Sequence, residues 1–193
     1  MRRVAPLAAL PLLTGCAAPL VARDDEAGSF DRAHSTMAAA DVRRFGEFPL
    51  YWLGDRFEGW NLTLVTGPEP TTRVVTFIYG DCTPTGGDEP SCSPPIVIQV
   101  KPLCAQLDVA AHHGAWKKFR VRGAPLGGEP HRRILFTAAA QVRVFANRGA
   151  DPQRPDRVFA ALVSANQVGP RIGPGDPFPP APLPVLAGEE ACT

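Results

Sequence analysis

The chain has 193 residues, 45% of them hydrophobic, with 20 Lys and Arg against 19 Asp and Glu for a formal net charge of +1. That apolar content supplies a real core and excludes a chain too poor in hydrophobic residues to fold. The 22 prolines and 18 glycines make about a fifth of the sequence turn-forming, so loops are plentiful.

The first elements concern location. Arg2 and Arg3 are followed by roughly ten mostly apolar residues, Val4 to Leu13, half the ~20 that a spanning helix needs. Pro6 and Pro11 argue further against a stable membrane helix. Leu13-Thr14-Gly15-Cys16 then resembles a bacterial lipobox. The resemblance implies cleavage between Gly15 and Cys16, a diacylglyceryl group on the Cys16 thiol, and a mature chain held on the extracytoplasmic face of a membrane. Two acyl chains suffice for stable anchoring where one does not. The bland reading is an ordinary signal peptide with a chance cysteine. Residues 1–15 are thus read as a lipoprotein signal peptide and 16–44 as lipidated cysteine and tether. The tether is small, polar and acidic, with Asp24, Asp25 and Glu26 in a row. Phe30, Ala33, Met37 and Ala40 follow helical spacing until Gly46 and Pro49 end it.

An α+β domain is expected over 45–168. Its first segment, 45–60, holds six of the fifteen aromatics: Phe45, Phe48, Tyr51, Trp52, Phe57 and Trp60. Gly54 and Gly59 break the run into short extended pieces. Strands are predicted over 62–66, 71–79 and 96–101, the second with apolar residues on both faces, as in a central strand. A Gly/Pro-rich loop, 80–95, separates the last two. Pro102 to Ala111 reads as a short helix stopped by Gly114. In 117–122, Phe119 and Val121 are expected inward and Lys118, Arg120 and Arg122 outward. Residues 133–137 and 141–146 read as a hairpin. Asp151-Pro152 and Pro155-Asp156 are helix starts, with Val158, Ala161, Leu162 and Ala165 at helical spacing until Gly169-Pro170. Residues 169–193 form a Pro-rich tail, with seven prolines in the fifteen residues 170–184, expected extended and poorly packed. The order predicts a small antiparallel sheet of about five or six strands with helices on one face.

Four cysteines follow Cys16: Cys82, Cys92, Cys104 and Cys192. An even number in an exported chain reads as two disulfides, and four cysteines allow three connectivities. If strands 71–79 and 96–101 are antiparallel neighbours, Cys82 and Cys92 share one end of the pair. Cys104 then lies ~20 Å away at ~3.3 Å per residue, beyond the ~7 Å that a bridge spans. Cys82–Cys92 and Cys104–Cys192 are therefore favoured.

Two short motifs carry a resemblance. Tyr51-Trp52-Leu53-Gly54 with Phe57 and Gly59 is similar to a segment of uncharacterised secreted actinobacterial-type lipoproteins. So is Tyr79-Gly80-Asp81-Cys82, followed by Cys92-Ser93-Pro94-Pro95 and a short strand. The resemblance covers about residues 47–168 and implies location and domain type, with no activity attached. The tail ending in Cys192 falls outside the pattern.

Catalytic signatures are missing: the sequence holds no Gly-x-Ser-x-Gly elbow, no His-Glu-x-x-His, no phosphate-cradling loop and no Cys-x-x-Cys. No catalytic residue, metal ligand or cofactor is assigned. Ser164 reads as a plain helix residue. His112 and His113 are adjacent, so on a helix they point apart; His34 and His131 stand alone. Asp81, Asp88 and Glu89 lie in the cysteine loop without the spacing of a calcium loop. Two binding surfaces are weighed. Tyr51, Trp52 and Trp60 are either core or an exposed platform for a sugar or apolar ligand. Residues 116–148 carry eight basic residues and one acid, Glu129; Lys117, Lys118, Arg120, Arg122, Arg132 and Arg133 are either solvated strand faces or a patch for anionic lipid or wall polymer. Nucleic acid does not fit this compartment. The expectation is a membrane-anchored, extracytoplasmic, non-catalytic binding or envelope-structural module. The alternative is an envelope-acting, hydrolase-like enzyme.

Overall fold

The computed structural model describes residues 36–68, 70–82, 93–105, 115–129, 132–146 and 151–187. Cys16, Cys92, Cys192, His34, His112, His113, His131, Asp88, Glu89 and most of the expected helix at 102–111 lie outside them.

A short helix, α1 (Ala39–Arg44), opens the described chain. Ten strands follow: β1 (Tyr51–Trp52), β2 (Arg56–Phe57), β3 (Trp60–Thr66), β4 (Val75–Tyr79), β5 (Ile96–Pro102), β6 (Phe119–Val121), β7 (Ala124–Glu129), β8 (Arg132–Phe136), β9 (Ala140–Ala146) and β10 (Val163–Ser164). A 3-10 turn (Ala115–Lys117) precedes β6, α2 (Arg154–Ala161) follows β9, and α3 (Leu183–Ala187) follows β10.

Eight strands form one antiparallel sheet in the order β2-β3-β4-β5-β9-β8-β7-β6, and β1 pairs with β10 separately. Each half of the large sheet, β2 to β5 and β6 to β9, runs from an edge to the centre as a meander. The halves join where β5 meets β9 antiparallel over seven residue pairs, Ile96↔Ala146 to Pro102↔Ala140. The sheet is larger than the five or six strands expected. β7 accounts for part of the difference: Ala-Pro-Leu-Gly-Gly-Glu has no strand propensity and no clean alternation. Its Gly128 has φ +92 and sits where a Cβ would lie 2.3 Å from the Arg132 carbonyl, so the β7–β8 connection requires glycine there.

Cross-strand pairing sorts the sheet into two faces. Val75, Val100, Val142, Leu135 and Leu126 form one row, and Phe77, Ile98 and Val144 the next. All are buried. This face packs against Val42 of α1, the 48–53 segment, and Val158, Phe159 and Leu162 at α2. The opposite face presents Thr76, Gln99, Arg143 and Ile134 in one row. A second, smaller core covers part of it: Leu103, Trp116, Ile134, Phe136, Ala181, Val185 and Leu186. Helical elements therefore contribute to both faces rather than one.

Several local expectations are corrected. Residues 170–187 are prolyl but packed: Ile172, Phe178, Ala181, Val185 and Leu186 are buried. Extended chain still carries backbone donors, and here Phe178 N–H donates to the Arg122 carbonyl at 2.8 Å and Ala138 N–H to the Pro179 carbonyl at 2.8 Å. The helix predicted to reach Ala165 ends at Ala161, where Leu162 turns to ψ 137. Ser164 lies in β10, not in a helix, and its Oγ accepts from Ile172 N–H at 2.9 Å. Part of the segment before residue 45 packs on the sheet as well. Met37 N–H donates to the Val65 carbonyl at 2.9 Å, and Val42 is wholly buried.

Beyond the short β1–β10 and β2–β3 pairings, the aromatic segment is held by side chains. Asn166 Nδ2 donates to the carbonyls of Phe45 (2.9 Å) and Phe48 (2.8 Å), while its Oδ1 accepts from Leu50 N–H at 2.9 Å. Tyr79 Oη accepts from Leu53 N–H at 2.9 Å and donates to the Gly54 carbonyl at 3.0 Å. The two motifs, Tyr51 to Gly54 and Tyr79 to Cys82, therefore meet through one phenol. Burial pushes the Tyr79 hydroxyl up from its ordinary value, so it stays a neutral donor.

Candidate functional site

The seam between β5 and β9 builds a cavity on the partly open face of the sheet. Gln99 pairs with Arg143, and Lys101 with Gln141. Side chains two apart on a strand share a face, so these four groups stand at the corners of a rectangle. Its sides are about 5 Å across the strands and about 7 Å along them. Thr72 and Val74, leading into β4, and Ile134 of β8 wall the space, which encloses about 170 Å³. Gln141 is 1% exposed, and its Nε2 donates to the Leu103 carbonyl at 2.7 Å, which fixes the amide. The Arg143 guanidinium reaches Gln99 Oε1 at 3.5 Å. Its Cζ also lies 5.6 Å from the Phe145 ring centre, as does that of Arg132.

Three cations thus crowd one partly dry surface. Burial first, and then the nearby Arg143 and Arg132 charges, push the Lys101 ammonium down to about 8. Burial also lowers Arg143. At neutral pH both remain mostly charged, so the rectangle offers a point charge, a planar fork and two amides. Such a set matches a carboxylate or phosphate: arginine binds the two oxygens side by side and lysine neutralises from any direction. Among the described residues, no Asp or Glu lines this cavity.

The residues singled out in the sequence fall elsewhere. Tyr51 is 1% and Trp52 8% exposed, and Trp60 is half-buried against the main core. Tyr51 and Trp52 are core and present no platform, because the 48–53 segment runs beneath the sheet. The basic stretch is scattered. Lys117, Lys118 and Arg120 are exposed along the β6 edge. Arg132 lies on the open face beside Phe145. Arg133, one residue on, points to the other face, where its Nε lies 3.4 Å from Asp156 Oδ1 of α2.

Arg122 was expected outward and instead turns in. It follows β6 with φ 49, a left-handed conformation that ends the strand alternation. Its guanidinium donates to the carbonyls of Ala160 (3.2 Å), Leu162 (2.7 Å), Gly173 and Asp176, and lies 4.2 Å from the Phe178 ring centre. Phe119, expected inward, is 58% exposed. β6 is only three residues long and stands at the sheet edge, where no described strand lies beyond it.

The sequence reading missed Lys101, Arg143, Gln99 and Gln141 as a group. Their signal is the polar phase of two otherwise apolar strands, Ile-Val-Ile-Gln-Val-Lys and Gln-Val-Arg-Val. That phase reads as a solvated face until the two strands are known to be neighbours. No protein-family model matches the chain, and no curated protein or solved structure matches it at significant similarity.

Proposed function

We propose that this chain is a lipid-anchored, extracytoplasmic binding module that holds a small anionic ligand in the β5–β9 cavity. The observation that carries the reading is the rectangle of Gln99, Lys101, Gln141 and Arg143 on one face of the sheet. Two cations and two amides converge there on a space suited to a carboxylate or phosphate group. Pockets for larger ligands run to roughly 300–1,000 Å³, so this one suits a small molecule or the charged end of a longer one.

Attachment rests on the Leu13-Thr14-Gly15-Cys16 motif. Acylation of Cys16 would keep the cavity at the membrane it serves, and the resemblance to secreted lipoproteins supports the same compartment. Cys82–Cys92 and Cys104–Cys192 disulfides belong to this reading. Neither Cys82 nor Cys104 is a free thiol. The β4–β5 pairing, Tyr79↔Ile96 to Val75↔Val100, puts these two at opposite ends of the strand pair, too far apart for each other.

Calorimetric titration with small carboxylates and inorganic phosphate at neutral pH tests the site. Saturable binding is expected, weakened at least tenfold by Arg143→Gln and by Lys101→Met. Absence of saturable binding to every anion would remove the reading. The enzymatic alternative has one foothold, the lowered Lys101 amine, which suits attack on a carbonyl. Borohydride trapping of a substrate carbonyl on Lys101 would favour it. Mass measurement of the N-terminal peptide from membranes tests the anchor: a diacylglyceryl group on Cys16 is expected, and an unmodified peptide overturns it.

A further inference from the structure

A second surface lies at the outer edge of the sheet. Among the described residues, β6 pairs with β7 on one side and with no strand on the other. Residues 115–128 contain Lys117, Lys118, Arg120 and Arg122 and no acid. Arg122 is taken up by backbone carbonyls, which leaves three exposed cations. Among them stands Phe119, one of two large hydrophobic side chains exposed among the described residues.

An exposed phenyl alone is ordinary. A phenyl at a sheet edge, next in sequence to exposed cations and with no acid within residues 115–128, matches a charged surface that has an apolar layer beneath it. Anionic lipid offers both: headgroups for the cations and an acyl boundary for the ring. We propose that the edge formed by Lys117, Lys118, Phe119 and Arg120 docks on an anionic lipid surface. A wall polymer would satisfy the charges and leave Phe119 without a role. A second copy added at this edge would place like charges together on a three-residue strand.

The edge is held in shape before it meets a surface. Arg122 ties its C-terminal end to the carbonyls of Ala160 and Leu162. At the other end Trp116 is buried in the second core, and Lys117 Nζ lies 5.4 Å from its ring centre. Arg120 Nη1 donates to the Gly123 carbonyl at 3.1 Å. Little ordering is therefore lost on contact. The edge alone binds weakly, but an acyl chain on Cys16 would raise its effective concentration at the membrane.

The test uses the exported chain carrying Cys16→Ser, which keeps every described residue and lacks the acyl anchor. It is co-sedimented with vesicles of phosphatidylglycerol mixed with phosphatidylcholine, and with phosphatidylcholine alone. Binding to the anionic vesicles and its release by salt are expected. Each of Lys118→Gln and Arg120→Gln should weaken it about fivefold. Phe119→Ala should weaken it severalfold without changing the melting temperature, because the ring is exposed. Lys101→Met should leave it unchanged, which separates this surface from the cavity. Equal binding to both vesicles, or no binding to either, overturns the proposal. Salt-sensitive binding indifferent to Phe119→Ala also overturns it, in favour of a purely polyanionic partner.

Discussion

Arg122 Nη1 donates to the carbonyl of Leu162 at 2.7 Å, so a residue in the turn after β6 closes the C-terminal end of α2. The last carbonyls of a helix have no partner within it, and a cation there also meets the negative end of its dipole. The same guanidinium binds the carbonyls of Gly173 and Asp176, joining α2 to the prolyl segment that follows. Arg122→Met keeps an unbranched apolar side chain and removes every donor. We expect a loss of about 2–4 kcal/mol in urea unfolding. Arg122→Lys should recover only part of it, because one ammonium cannot serve carbonyls spread around a planar fork. Full recovery with lysine would show that charge, not geometry, matters here.

Asn166 makes a different kind of connection. Its amide binds three backbone groups of residues 45–50, which lie in no strand. Asn166→Ala orphans a donor at Leu50 and acceptors at Phe45 and Phe48, at a cost of about 2–4 kcal/mol by urea unfolding. Asn166→Asp should be worse at neutral pH, since a buried carboxylate would face two carbonyl oxygens. Burial would raise the pKa of the new carboxyl, so the folded state holds its proton to higher pH than the unfolded chain. The penalty of Asn166→Asp should therefore shrink as pH falls. A penalty equal at pH 4 and pH 7 would refute this account of the site.

How far the sequence led depends on whether the signal was local. β5 and β9 were legible because Ile96, Ile98 and Val100, and Val142 and Val144, recur at every second position. Each was off by one residue at one end, whereas β4 begins at Val75, four residues later than expected. β7 was not legible, since its stability comes from lying between β6 and β8 rather than from Ala-Pro-Leu-Gly-Gly-Glu itself. The prolyl segment misled for a related reason: composition reported its stiffness but not that Phe178 and Leu186 find cores to fill. The aromatic run was readable as core, whereas its clamps, Asn166 and Tyr79, lie far away in the chain. The cavity was hidden most deeply. Lys101 and Arg143 meet only because the chain runs from β5 to the far edge and returns at β9, and no local pattern encodes that return.

The cysteines give a check on the sheet itself. Tyr79 pairs with Ile96, and Val75 with Val100, so Cys82 and Cys104 leave the β4–β5 pair at opposite ends. Non-reducing peptide mapping should yield Cys82 linked to Cys92 and Cys104 linked to Cys192, and no peptide joining Cys82 to Cys104. Finding that peptide would mean the β4–β5 register is wrong. Closing the Cys82–Cys92 loop should contribute roughly 3 kcal/mol by the chain-entropy account, so Cys92→Ser is expected to lower the urea midpoint measurably.

The last prediction concerns the proton on Lys101. Its ammonium is pushed down to about 8 from an ordinary 10.5, first by burial and then by Arg143 and Arg132. The unfolded chain therefore binds the proton more tightly than the folded one, and between about pH 8 and 10.5 stability from this group rises with pH. The group is half exposed, so solvent screening keeps the gain small. Lys101→Met should flatten the stability profile in that window. An anion in the cavity acts in the opposite sense: its charge offsets those of Arg143 and Arg132 and draws the Lys101 pKa back up. Binding should then take up protons near pH 8 to 9 and weaken as pH rises through that range. Titration calorimetry in buffers of different ionisation enthalpy measures the uptake directly. An uptake of zero, or one that persists in Lys101→Met, would place the anion away from this lysine.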